Sequence, residues 1–159
     1  MDFPKRRLQS SLELLITLSF GLIILLPIIT LAAVQISTSS ATLSVTEAQQ
    51  SADRLAAIAV QVGTQGFPAR QSVVLQIPQN VQAVEIGTTS NALGNEIIFV
   101  VGTGGGLDYV TAYTPVNVSG SLAGIQSPSA YLLNVSAMQS CPAHPSLPCV
   151  YIRVASQAQ

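Results

Sequence analysis

Hydrophobic and polar positions along the chain fall into three regimes. Residues 14–34, LLITLSFGLIILLPIITLAAV, form an apolar run without a charged side chain. At about 1.5 Å rise per residue, some 21 positions span the roughly 30 Å hydrocarbon core of a bilayer as one helix. In residues 35–62, Ile36, Leu43, Val45, Ala48, Ala52, Leu55, Ala56, Ala59 and Val62 recur at three- and four-residue intervals among Ser, Thr, Gln and Ala. That period predicts an amphipathic continuation of the same helix. Beyond residue 63 the pattern alternates in twos. Residues 72–77, 81–86, 96–101, 107–113, 130–136 and 149–154 read as strands rich in β-branched and aromatic side chains, with turns at 78–80, 90–95 and 102–106.

The expected architecture is α+β: a long N-terminal helix, then a small head of short antiparallel strands closed into a sandwich or curled sheet. Pro27 removes one helical hydrogen bond and predicts a kink near residues 23–27, with Thr17, Ser19 and Thr30 available to the freed carbonyls. Residues 37–42 are the weakest part of the helix, because β-branched and hydroxyl residues lower helix propensity. Gly63 and Gly66, followed by Pro68, are expected to end it. A rod from residue 10 to 62 measures about 80 Å, longer than a bilayer requires. The outward face of 35–62 carries only Glu47, Asp53 and Arg54. Its small residues suit packing on copies of the same helix.

Charge gives the helix a direction. Lys5, Arg6 and Arg7 are half of the six basic residues, and they stand just before the apolar run. Basic residues flanking a first membrane segment favour the cytoplasmic side, which puts everything after residue 34 outside. Leu31-Ala32-Ala33-Val34 is compatible with a secretory signal cleavage site near Ala33. The apolar region is longer than the usual 7 to 15 residues, and the helical pattern continues past it, so an uncleaved helix is expected.

Composition narrows the chemistry. Charged residues are 8% of the chain and the formal net charge is −1, so no basic surface is left for nucleic acid. After the helix about 95 residues remain, enough for one compact domain. One His, two Cys and no Trp leave little material for acid–base or metal chemistry, and neither an enzyme nor a cofactor is expected.

Candidate chemistry in the head has ordinary readings. Thr103-Gly104-Gly105-Gly106 lacks the Lys-Ser/Thr of a phosphate-binding loop and reads as a hairpin turn. Cys141, His144 and Cys149 offer three potential metal ligands, but zinc takes four at tighter spacing, so a Cys141–Cys149 disulfide closing a small exported loop is expected. Asn117-Val118-Ser119 and Asn134-Val135-Ser136 are glycosylation sequons that this topology puts outside, Asn117 the better placed because Asn134 falls in a predicted strand. Glu85, Glu96 and Asp108 read as solvated strand residues.

The segment Lys5-Arg6-Arg7-Leu8-Gln9-Ser10-Ser11-Leu12-Glu13-Leu14-Leu15 resembles the class III signal peptide of archaeal type IV pilin-like proteins, a basic leader followed by Gln-x-Ser-x-Glu and an apolar helix. The resemblance implies cleavage by a membrane prepilin peptidase between Leu8 and Gln9, where Leu8 replaces the family's usual small residue. Gln9, Ser11 and Glu13 would become the first, third and fifth mature residues. Pro27 also fits, since pilins often carry a proline in this part of the helix. Glu13 has two physical readings. It marks the headgroup boundary, where a carboxylate is tolerated. Otherwise, because an acid at a membrane helix's centre costs about 2.5 to 3.5 kcal/mol, it has a partner: the α-amino group that cleavage creates at Gln9, four residues before Glu13 in its own chain, meets the Glu13 carboxylate of a neighbouring copy.

The expected organisation is a cleaved leader 1–8, a membrane or filament-core helix 9–34, an amphipathic extension 35–62 and an extracellular head 63–159. The expected function is a structural pilin subunit serving adhesion or surface attachment, held in the membrane before assembly into a homo-oligomeric filament. The resemblance also implies an assembly ATPase and platform protein as partners. The alternatives are a membrane-anchored binding or adhesion protein that never polymerises, and a minor pilin of a secretion or DNA-uptake apparatus.

Overall fold

The computed structural model describes residues 4–88, 93–125 and 127–158, with side chains from residue 12 to 157 within those ranges. One helix, α1 (Pro4–Gln65), precedes six strands: β1 (Arg70–Ile77), β2 (Val81–Ile86), β3 (Gly94–Thr103), β4 (Gly106–Ser121), β5 (Ser129–Met138) and β6 (Cys149–Ala158). Contacts divide the chain into two compact units, residues 1–40 and 41–159. The last part of α1 therefore belongs to the same folded unit as the strands.

All six strands join one sheet in the order β1-β5-β6-β4-β3-β2. Four pairings are antiparallel and β4–β6 is parallel, so the expected all-antiparallel head is corrected to a mixed sheet. β4 is longer than its predicted core because it changes partner along its length. Residues 106–113 pair with β3, which also reaches Val118 through Gly94 after a register shift, and Val118 to Ser121 pair with Val150 to Arg153 of β6.

The sheet is curled, and connectivity requires it. β1 and β2 lie on opposite edges, about 24 Å apart if five strand spacings of about 4.8 Å were laid flat. Only Pro78, Gln79 and Asn80 join them, and four Cα steps of about 3.8 Å reach no more than about 15 Å. The edges must therefore approach one another where β1 ends and β2 begins.

α1 seals that seam. Ser51 Oγ donates to the Gln76 carbonyl (3.1 Å), covering one backbone acceptor of the β1 edge, and Asn80 Nδ2 donates to Ser44 Oγ (3.3 Å). Below these bonds Ala48, Ala52, Leu55, Ala56, Ala59 and Val62 are buried against the inward residues of the sheet, among them Leu75, Phe99, Leu133 and Ile152. Strict alternation puts Val73, Leu75 and Ile77 of β1, and Tyr131, Leu133, Val135 and Ala137 of β5, into this core. Ile36 and Leu43 share the helical period but are exposed. The buried face begins at Ser44, where α1 first meets the turn through Asn80.

Residues 37–42, the weakest part of α1 by propensity, stay within the continuous helix, the Thr38 hydroxyl donating to the Val34 carbonyl at 3.0 Å. The expected end of the helix changes. Gly66, with φ 70°, is the terminating glycine: its N–H donates to the carbonyls of Val62 and Gly63, both at 3.2 Å. Gly63 is still helical. A Cβ there would meet Val116 Cγ1 at 2.9 Å and Val150 Cγ2 at 3.1 Å, so this glycine lets the helix approach β4 and β6. Ala48, Ala52, Ala56 and Ala59 of the periodic apolar face pack in the core with the chain's own sheet.

Candidate functional site

The candidate site is the apolar part of α1. Every described side chain from residue 12 to 40 is exposed. Leu14 is 66%, Phe20 65% and Leu31 65% exposed. The helix is long and apolar enough to cross a membrane. In water each such side chain would forgo about 1.5–3 kcal/mol relative to burial, so the surface needs lipid or protein around it.

Glu13 is exposed at the start of this run, and its backbone carbonyl accepts the Thr17 hydroxyl at 2.8 Å. The side chains of Leu8, Gln9 and Ser11, the expected processing and assembly residues, lie outside the described residues. Pro27 is inside the continuous helix. Its missing N–H frees the carbonyl of Ile23, one turn earlier. Thr30 Oγ1 donates instead to the carbonyls of Leu26 (3.1 Å) and Pro27 (2.9 Å), and Thr17 serves Glu13, so neither bonds to Ile23.

In the head the two sulfurs of Cys141 and Cys149 are bonded to each other. The bridged loop also bonds to itself: Cys141 N–H donates to Leu147 O, His144 N–H to Cys141 O, and Leu147 N–H to His144 O. Among the described residues no three His, Cys, Asp or Glu converge on a point that would hold a metal. The Thr103–Gly106 motif is a hairpin tip, Thr103 pairing with Gly106 across Gly104 and Gly105. The turn expected at 90–95 is partly outside the described residues, and Gly94 and Asn95 begin β3.

Both sequons fall in strands. Asn117 is in β4, its Nδ2 donating to the Pro148 carbonyl at 3.5 Å, and its Ser119 is buried. Asn134 is in β5, flanked by Ser72 of β1 and Arg153 of β6.

Among the described residues, three cavities of the head hold few ionisable side chains. A cavity of about 230 Å³ between β2 and residues 120–125 has Glu85 as its one ionisable lining residue. One of about 510 Å³ between α1 and the end of β1 has Glu47 and Arg54. A third, of about 300 Å³, lies among Gly66, Phe67, Pro115, Met138 and Pro148, with no ionisable lining residue.

Comparison with known protein families, curated proteins and solved structures finds no match to this chain.

Proposed function

We propose that the chain is a structural subunit of a type IV pilus-like surface filament, assembled through its N-terminal helix while the β-rich head faces solvent. The reading is carried by one observation, the uninterrupted exposure of the apolar helix over residues 14–34. It is supported by the Gln9-x-Ser11-x-Glu13 motif abutting that helix behind a basic leader. Lipid solvates the helix before assembly, and identical helices replace the lipid afterwards. Removal of residues 1–8 creates an α-amino group at Gln9. The carboxylate of Glu13 on a neighbouring copy neutralises it, so neither charge stays unpaired in an apolar interior.

Intact mass and N-terminal sequencing of protein sheared from cells test the reading. A chain beginning at Gln9 is expected in the sheared filament fraction. A chain beginning at Met1 that stays in the membrane as single copies would overturn it in favour of a monomeric anchor.

A further inference from the structure

The charges of the head are few, and the sheet sorts them by sign. After Gly66 the charged residues are Arg70, Glu85, Glu96, Asp108 and Arg153. The three acids lie on β2, β3 and β4, which are neighbours. The two arginines lie on β1 and β6, on either side of β5. No ion pair joins them among the described residues.

Register puts four of the five on the convex face, away from α1. Glu85 is opposite Ile98, and Glu96 is opposite Tyr113, one position out of phase with the buried Phe99 and Val110. On the other half Arg70 is opposite Ser136 and Arg153 is opposite Asn134, out of phase with the buried Val135 and Ile152. Each half also presents apolar surface to solvent. Tyr109 and Tyr113 are 67% and 77% exposed beside the acids, and Val74, on the edge strand β1 that also carries Arg70, is 44% exposed. Exposed tyrosines with charge at the margin are the composition of a protein-binding surface.

We propose that the heads dock on one another within the filament, the tyrosine-bearing β2–β3–β4 half of one copy against the arginine-bearing β1–β5–β6 half of the next. The proposal rests on the filament reading and names a second copy of this chain as the occupant of both faces, because each half supplies the charge the other lacks. Two different patches on one subunit make a heterologous contact, which propagates as a helical array when it does not close on itself. Opposite charges set the register, and like halves repel.

The test is charge reversal in the full chain. Arg70→Glu with Arg153→Glu, both at exposed positions, should lower the number of surface filaments about tenfold while the head stays protease-resistant. Adding Glu85→Arg and Glu96→Arg should restore them. Filaments at wild-type level with the arginines reversed, or no restoration by the full swap, would overturn the docking and leave the filament reading intact. A second measurement reads the docking directly. Copies carrying Tyr113→Cys and copies carrying Val74→Cys are expressed together and treated on cells with a short bismaleimide, both native cysteines being in the disulfide. A mixed dimer supports the docking. No dimer, or a dimer from Tyr113→Cys copies alone, sinks it.

Discussion

Gly120 of β4 shows what one missing side chain does for the head. It pairs with Ile152 of β6 in the parallel ladder, and a Cβ at that position would run into the Ile152 carbonyl oxygen. Backbone cannot yield as a side-chain tip can, so Gly120→Ala should wedge β4 from β6 and cost about 1–3 kcal/mol. Gly105 is the control. A Cβ there meets nothing within 4 Å, and Gly105→Ala should change stability by less than about 0.5 kcal/mol. Urea unfolding of the two variants in detergent separates them, and equal midpoints would refute the assignment. Gly63 shows why such roles are hard to read in a sequence. Spacing flags a glycine at a helix end, but the absent side chain does not say whether a turn or a neighbour needs the room. Val116 and Val150, which need it here, lie over fifty residues away.

At the scale of elements, hydrophobic period was enough to find the helix and all six strands, because each is local. Pairing was not readable. Nothing near β4 in the chain says that its last residues accept β6 in parallel, because β6 lies some thirty residues further on. The helix face was half readable: Ala48, Ala52, Leu55, Ala56, Ala59 and Val62 are buried as a 3.6-residue period predicts, but the same period cannot say whether a stripe meets a sheet of its own chain or another copy. Since Leu55 is fully buried in this contact, Leu55→Ala should lower head stability by about 2–5 kcal/mol. A loss below 1 kcal/mol would mean that α1 is not part of the core. The Cys141–Cys149 bridge closes a separation of 8 residues. Cys141→Ser with Cys149→Ser should cost about 2–3 kcal/mol in the chain-entropy account, read as a shift of the same unfolding curve that spares the helix.

At the scale of the whole molecule, the apolar run was the most readable feature of all, since no folding context alters a stretch without charge. Its occupant is where a lipid anchor and a filament spine part, because the two demand different things of the same residues. Lipid tails solvate any order of Leu and Ile, so an anchor depends on length and hydropathy alone. Packing among identical helices depends on which side chain meets which, and on how far Pro27 lets the helix bend. Shuffling residues 14–34 with Pro27 and overall composition kept should therefore leave membrane insertion unchanged while abolishing filaments. Glu13→Ala separates the charge from the packing: if the α-amine of Gln9 relies on this carboxylate, filaments should become rare while the head keeps its fold and the chain still enters the membrane. Filaments counted on cells, beside the membrane fraction of each variant, decide both. A shuffled run that still builds filaments would show that side-chain fit does not hold the spine together, and normal filaments from Glu13→Ala would remove the amine–carboxylate pair from the assembly step.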